Sequence, residues 1–228
     1  MIVNHIKYNG ETSIKYGLRI HLKDYLRVSP ADRVGMVEVD GVDGVLLEDL
    51  ESIESVTMPL PFHIYDINKA VNLTRWLRKE KGYSDLELSW DGDYIYKASF
   101  HDKYDLETLL KLHGKVILNF TVKPWKYLKS GLEETEALTL YNPTPYESKP
   151  TYIVEGQGAV TVTVNGQELK FIRLNGTLQL DTEREVVTGD GSFSNLETYP
   201  FPRLISGYNT LTVTGGSLRV IPKWRERL

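Results

Sequence analysis

Apolar and polar positions alternate with a period of two along much of this chain, and that period predicts half-buried strands. Ile14, Tyr16, Leu18, Ile20 and Leu22 form one such series, read as a single strand. Val34 to Val39 alternates less cleanly and runs into Asp40-Gly41-Val42-Asp43-Gly44, a loop that tolerates positive φ. Ser52 to Ile64 is extended, and Pro59 and Pro61 inside it predict an edge strand or its end. Leu86 to Trp90 and Tyr94 to Phe100 flank Asp91-Gly92 and read as a hairpin. Asp105 to Leu112 suits a short helix or a strand, and Val116 to Val122 predicts a strand stopping before Pro124.

The period changes once. After a capping Asp66, residues Ile67, Ala70, Val71, Thr74 and Leu77 fall on one helical face. Arg75, Arg78, Lys79 and Lys81 crowd the C-terminal end, where cations oppose the helix dipole, and Gly82 can close it.

Residues 126–137 are charged and aperiodic, and the expected domain boundary lies there: 1–130 and 131–228. Beyond it the texture is almost pure β. Prolines 143, 145 and 150 keep the entering segment from pairing early, since proline donates no ladder hydrogen bond. Short strands are predicted at 136–141, 151–155, 159–164, 168–174, 177–181, 184–188, 209–214 and 217–221. Gly156-Gln157-Gly158 reads as a turn between two of them, and Asn165-Gly166 is the strongest hairpin signal in the chain. Strands at such spacing suggest a sandwich. The fold class is mainly β with one clear helix.

Composition narrows function by exclusion. With 228 residues, 41% of them hydrophobic, the chain can bury a core without metal or disulfide staples. The formal charge of −4 argues against sequence-specific nucleic-acid binding, which needs a basic face. Cysteine is absent, which removes thiolate chemistry. The N-terminus shows no signal-peptide pattern and no segment is apolar enough to span a bilayer, so the expectation is a soluble protein made in the cytoplasm and independent of membranes.

Candidate chemistry is thin. His5, His21, His63, His101 and His113 are scattered without metal-ligand spacing. Asp40 with Asp43, and Asp91 with Asp93, lack the spacing and closing Glu of a calcium loop. Glu133 and Glu134 are adjacent, which does not make a glycosidase pair. Trp76, Trp90, Trp125 and Trp224 suit core or interface anchoring better than sugar stacking. No nucleophile elbow or phosphate loop is present. The expectation is a non-enzyme without cofactor or metal.

Several stretches follow one another in a known order: "VDGVDGVLLEDL" at 39–50, "MPLPFHI" at 58–64, "WLRKEKGYSDLELSWDGDYIYKASF" at 76–100 and "LLKLHGKVILNFTVKPWKYL" at 109–128. They continue with "NPTPYESKPTYIVEGQGAVTVTVNGQ" at 142–167, "LQLDTEREVVTGDG" at 178–191, "FPRLISGYNTLTVTGG" at 201–216 and "IPKWRERL" at 221–228. The ordered set resembles the distal tail protein (Dit) family of siphophages, with long non-contractile tails, and related prophages. One departure is Val122-Lys123, where family members often carry a Cys before the proline.

The resemblance implies an N-terminal ring-forming belt domain at 1–130 and a C-terminal galectin-like β-sandwich at 131–228. It implies a structural virion protein at the distal end of the tail, a homohexamer joining the major tail tube protein to the tail-associated lysin or tail fibre and receptor-binding proteins. DNA would pass through its central channel. Six copies at −4 each make about −24, which keeps free subunits soluble. Asp40, Gly41, Val42, Asp43 and Gly44 are the candidate loop touching a neighbour or the tube. The alternative reading is a carbohydrate-binding module of a tail tip taking part in host adsorption. Against it, residues 138–228 hold no His and only one Trp, Trp224.

Overall fold

The computed structural model describes residues 4–25, 27–101, 114–192 and 200–228. The sequence-predicted element at 105–112 and the side chain of His113 lie outside them. The chain divides into two compact units, 1–126 with 227–228, and 127–226.

The first unit is built on an antiparallel sheet. Its strands are β1 (Ile6–Tyr8), β2 (Glu11–Thr12) and β3 (Leu18–Ile20). The hairpin strands β4 (Asp32–Glu38) and β5 (Val45–Ile53) come next, followed by β6 (Val56–Ile64). Two helical turns, α1 (Ile67–Ala70) and α2 (Leu73–Leu77), precede β7 (Ser84–Leu88), β8 (Tyr94–Ser99) and β9 (Lys115–Leu128). Seven strands pair in the order β2-β1-β7-β8-β9-β6-β3, whereas β4 and β5 form a separate two-stranded sheet. Inward-facing Leu18, Leu60, Phe62, Leu86, Leu118 and Phe120 bury one face of the main sheet under Leu73, Trp76 and Leu77 of α2.

Four expectations for this unit need correcting. The series from Ile14 to Leu22 is a 3-10 turn (Ser13–Tyr16), three residues of strand and a second 3-10 turn (Leu22–Asp24). Gly17, at φ 72, bends the chain between the first two. The predicted helix is two pieces, and its buried face is Ala70, Leu73, Trp76 and Leu77. Ile67 and Val71 are left exposed, because the core recruits the larger indole and Leu73 instead. Asp66 does cap α1, its carboxylate accepting from Lys69 N at 3.4 Å. Finally, β9 runs on through Pro124. Its register with β6 starts at Val56↔Val122, so Pro124 lies beyond that partner and breaks no hydrogen bond to it. The prolines of β6 follow the same rule, since β3 reaches only Phe62–Ile64 and leaves Pro59 and Pro61 at an open edge, as expected.

The second unit contains β10 (Thr139–Asn142), β11 (Thr151–Val164), β12 (Gln167–Asp181), β13 (Val186–Gly189) and β14 (Gly207–Ile221). They pair antiparallel in the order β10-β14-β11-β12-β13. Asn165 and Gly166, at φ 50 and 87, make the tight turn that the Asn-Gly signal predicts.

Here the sequence-based division into many short strands is overturned. Gly156-Gln157-Gly158 is no turn; it lies inside the 14-residue β11. The pairs expected at 168–174 with 177–181, and at 209–214 with 217–221, are likewise single 15-residue strands. Their interruptions align: Gly156 pairs with Gly176 on one side and Gly216 on the other. The register slips there, between Gly158 and Val160 against β12 and between Gly156 and Thr161 against β14. A row of bulges bends all three strands at one level. The two halves of the curled sheet then share one core, with Tyr152 and Val154 from before the bend and Val160, Val162 and Val164 from after it. The inward set flips from Leu169 and Phe171 to Leu174, Leu178 and Leu180, as a one-residue slip requires.

Glycine is needed at the bend for space. A Cβ on Gly156 would fall 2.6 Å from Cγ2 of Val160, and one on Gly215 would collide with the carbonyl of Ala159.

Candidate interface sites

Among the described residues of the first unit, the β4–β5 hairpin is the most exposed element. Val34↔Asp49, Met36↔Leu47 and Glu38↔Val45 are cross-strand pairs on one face, and Gly35↔Glu48 and Val37↔Leu46 on the other. Both faces carry aliphatic side chains and both are open to solvent. Met36 is 70% exposed and Leu47 66%. Among the described residues, nine of the 22 exposed large hydrophobics lie within positions 34–50. A two-stranded ribbon is marginal alone, so this one needs a cover. Its base is held by Arg227, which pairs with Asp32 at 2.9 Å and donates to Pro30 O at 3.0 Å, and by Glu54 N donating to Ala31 O at 3.0 Å.

The candidate loop Asp40–Gly44 sits at the tip. All five residues are exposed, Gly41 and Gly44 have φ of 82 and 89, and Val42 N donates to Val39 O at 3.1 Å. The flanking aliphatics Met36, Val37, Leu46 and Leu47 belong to the same surface, and reading the loop alone missed them. The signal was available: "VLL" beside "ED" does not alternate as a half-buried strand should.

A second surface surrounds α1 and α2. Ile67 and Val71 are exposed, and the exposed cations Arg75, Arg78, Lys79 and Lys81 follow them. Beside them lies a cleft of about 560 Å³ walled by Lys15, Arg75 and Lys79 with Asn72. Glu11 is hydrogen-bonded to both Lys15 and Tyr16, which holds its carboxyl below the usual carboxylate range. Trp76 floors the cleft and lies flat on Tyr16, ring centroids 4.8 Å apart and planes within 9°.

On the second unit, Tyr141 and Tyr208 are cross-strand partners whose rings meet edge to face at 5.0 Å, and both are exposed. Trp224, the one tryptophan offered for sugar stacking there, is 5% exposed and belongs to the core.

His21 and His63, distant in sequence, come within 4.5 Å between ring centroids because β3 and β6 pair. Among the described residues no three His, Cys, Asp or Glu gather as metal ligands, and no helix is long and apolar enough to cross a membrane. Asp91 accepts from Tyr96 and from Lys126 at 3.1 Å, and Glu134 pairs with Arg219 at 2.7 Å. Tyr127 donates to Glu183 at 2.8 Å, and burial, then the Glu183 charge, raises its phenol pKa.

The fold of the chain is that of a Dit-like phage tail hub protein. It resembles the SPP1 Dit (gp 19.1) protein, a hub of the adsorption apparatus in phages infecting Gram-positive hosts, with a TM-score of 0.67 and 16% identity over 100% of both chains. It is also similar to a chain of the phage P2 baseplate in its activated conformation, with Ca (TM-score 0.52) and with Sr (0.54), at 11% identity over 100% of this chain and 99% of that one. No protein-family profile and no curated protein sequence matches the chain.

Proposed function

We propose that this chain is a structural, non-enzymatic protein of a long non-contractile phage tail. Six copies close into a ring at the distal end of the tube, join the tube protein to the adhesion proteins of the tip, and leave a central channel for DNA. The β4–β5 hairpin carries this reading. A ribbon that exposes aliphatic side chains on both faces is a subunit contact waiting for its neighbour, and a ring needs such a heterologous contact. The tip loop Asp40–Gly44 reaches the adjacent subunit or the tube. The likeness to tail-hub and baseplate structures supports the location in the virion.

Native mass spectrometry tests the ring. The expected assembly has six times the 26.1 kDa chain mass, and a double variant Met36→Ser, Leu47→Ser keeps the fold but loses the assembly. A wild-type chain that stays monomeric up to its solubility limit, with tube protein present, defeats the proposal. Sugar binding by the second unit is disfavoured because Trp224 is buried.

A further inference from the structure

We propose that the β4–β5 hairpin of one subunit docks on the α1–α2 face of a second copy of this chain, with hairpin carboxylates opposite Lys15, Arg75 and Lys79 at the cleft beside Trp76. The inference rests on the ring reading and names the two surfaces that meet.

Charge is the first argument. The hairpin and its base, residues 32–56, contain eight carboxylates (Asp32, Glu38, Asp40, Asp43, Glu48, Asp49, Glu51 and Glu54) against one cation, Arg33, which pairs with Glu54. Residues 66–83 contain five cations, Lys69, Arg75, Arg78, Lys79 and Lys81, against two carboxylates, Asp66, which pairs with Lys69, and Glu80. Like-charged hairpins repel one another, so hairpin-on-hairpin contact is disfavoured, and the same holds for two helical faces. The opposite pairing is attractive, and it joins two different patches of one subunit as a closing ring demands.

Apolar surface and shape agree. Ile67 and Val71 stand exposed next to the cations, as Met36, Val37, Leu46 and Leu47 stand exposed next to the carboxylates. The hairpin projects and the helical face is hollow, with about 560 Å³ open beside Arg75 and Lys79. Exposed ion pairs are worth about 0–1 kcal/mol each, so the aliphatics supply most of the contact energy. The charges decide which surface is chosen and in what register. The net negative hairpin also sets this occupant apart from an anionic membrane, which would repel it.

The test uses two full-length variants. The first reverses the hairpin, Glu38→Lys with Glu48→Lys; the second reverses the helix, Arg75→Glu with Lys79→Glu. All four side chains are solvent-exposed, so thermal melting should match the wild type. Each variant alone is expected to lose assembly by roughly 30-fold or more in concentration, the effect of opposing close charges across an interface. Mixed one to one, they should assemble, because every reversed hairpin then finds a reversed helix. Native mass spectrometry should show only rings with equal numbers of each variant. The quadruple variant should assemble alone.

If either variant alone assembles like wild type, or the mixture stays dissociated while wild type forms rings, this pairing is overturned and the ring reading stands. If the mixture instead binds only tube protein, the hairpin serves that partner and the pairing is again overturned. A wild-type chain that never self-associates removes the ring reading itself.

Discussion

The ammonium of Lys223 lies 3.0 Å from Oδ1 of Asp181, and the same oxygen accepts the backbone N–H groups of Glu183 at 3.0 Å and Arg184 at 3.4 Å. One carboxylate thus ties the turn after β12 to Lys223, two residues beyond β14. Burial alone would raise the Asp181 pKa, but the hydrogen bond and charge of Lys223, helped by the two backbone donors, leave it below its ordinary value. A depressed carboxyl pKa stabilises the fold above the unfolded value, near 3.9, and that stabilisation disappears as pH falls through the native value. Asp181→Asn should cost about 1 kcal/mol at neutral pH. In urea titrations the gap from wild type should close below about pH 4; a gap that persists at pH 2 would show that the charge plays no part.

Trp76 should be the most costly single truncation in the first unit. It is 1% exposed, its Nε1 donates to Tyr8 O at 2.8 Å, and its ring stacks on Tyr16. Trp76→Ala should cost about 3–5 kcal/mol, a large share of a typical domain's stability. Trp76→Phe keeps most of the packing but removes the hydrogen bond to the Tyr8 carbonyl, at about 0.5–1.5 kcal/mol. Calorimetry should rank the two in that order, and an equal loss in both would mean that the hydrogen bond carries the whole effect.

Asn209 organises the end of the sandwich. Its Oδ1 accepts from Asn165 Nδ2 at 2.7 Å and Ile205 N at 2.8 Å, while its Nδ2 donates to Ile205 O at 2.9 Å and Gly207 O at 3.1 Å. Because Asn209 is buried, Asn209→Asp places a charge against two carbonyls. That variant should be at least about 2 kcal/mol less stable at pH 7 and should recover partly in acid, where the carboxyl regains a proton and can donate. Asn209→Ala should show no such recovery in parallel pH-dependent melts.

The bend in β11, β12 and β14 depends on missing side chains. Gly215→Ala meets both a φ of 83 and the Ala159 carbonyl, and should cost more than 2 kcal/mol. Gly166→Ala has a similar φ of 87 but nothing within 4 Å of the new Cβ, so it should cost about 1 kcal/mol. Equal losses in chemical denaturation would mean that φ alone, and not the crossing of strands, demands glycine at the bend.

The alternation of β7 and its hairpin with β8, the Asp66 cap and the Asn165-Gly166 turn were all legible from neighbouring residues, and the order of motifs pointed to the tail-hub fold. These signals are local, because a strand's alternation and a turn's φ are set by side chains a few positions apart. What the tertiary structure decided was non-local. A glycine reads as the end of a strand, yet opposite Gly176 and Gly216 the glycine of β11 only bends it, and no neighbour in sequence distinguishes the two outcomes. Which helical face is buried depended on where the sheet lay, so Trp76 went in and Val71 stayed out. Pro124 is tolerated because β6 has already ended its pairing there. The candidate loop was visible as Asp and Gly, but its place at the tip of a two-stranded ribbon arises because, among the described residues, β4 and β5 pair with each other and join no other strand. Burial and pairing are relations between distant segments, settled only when the chain closes on itself.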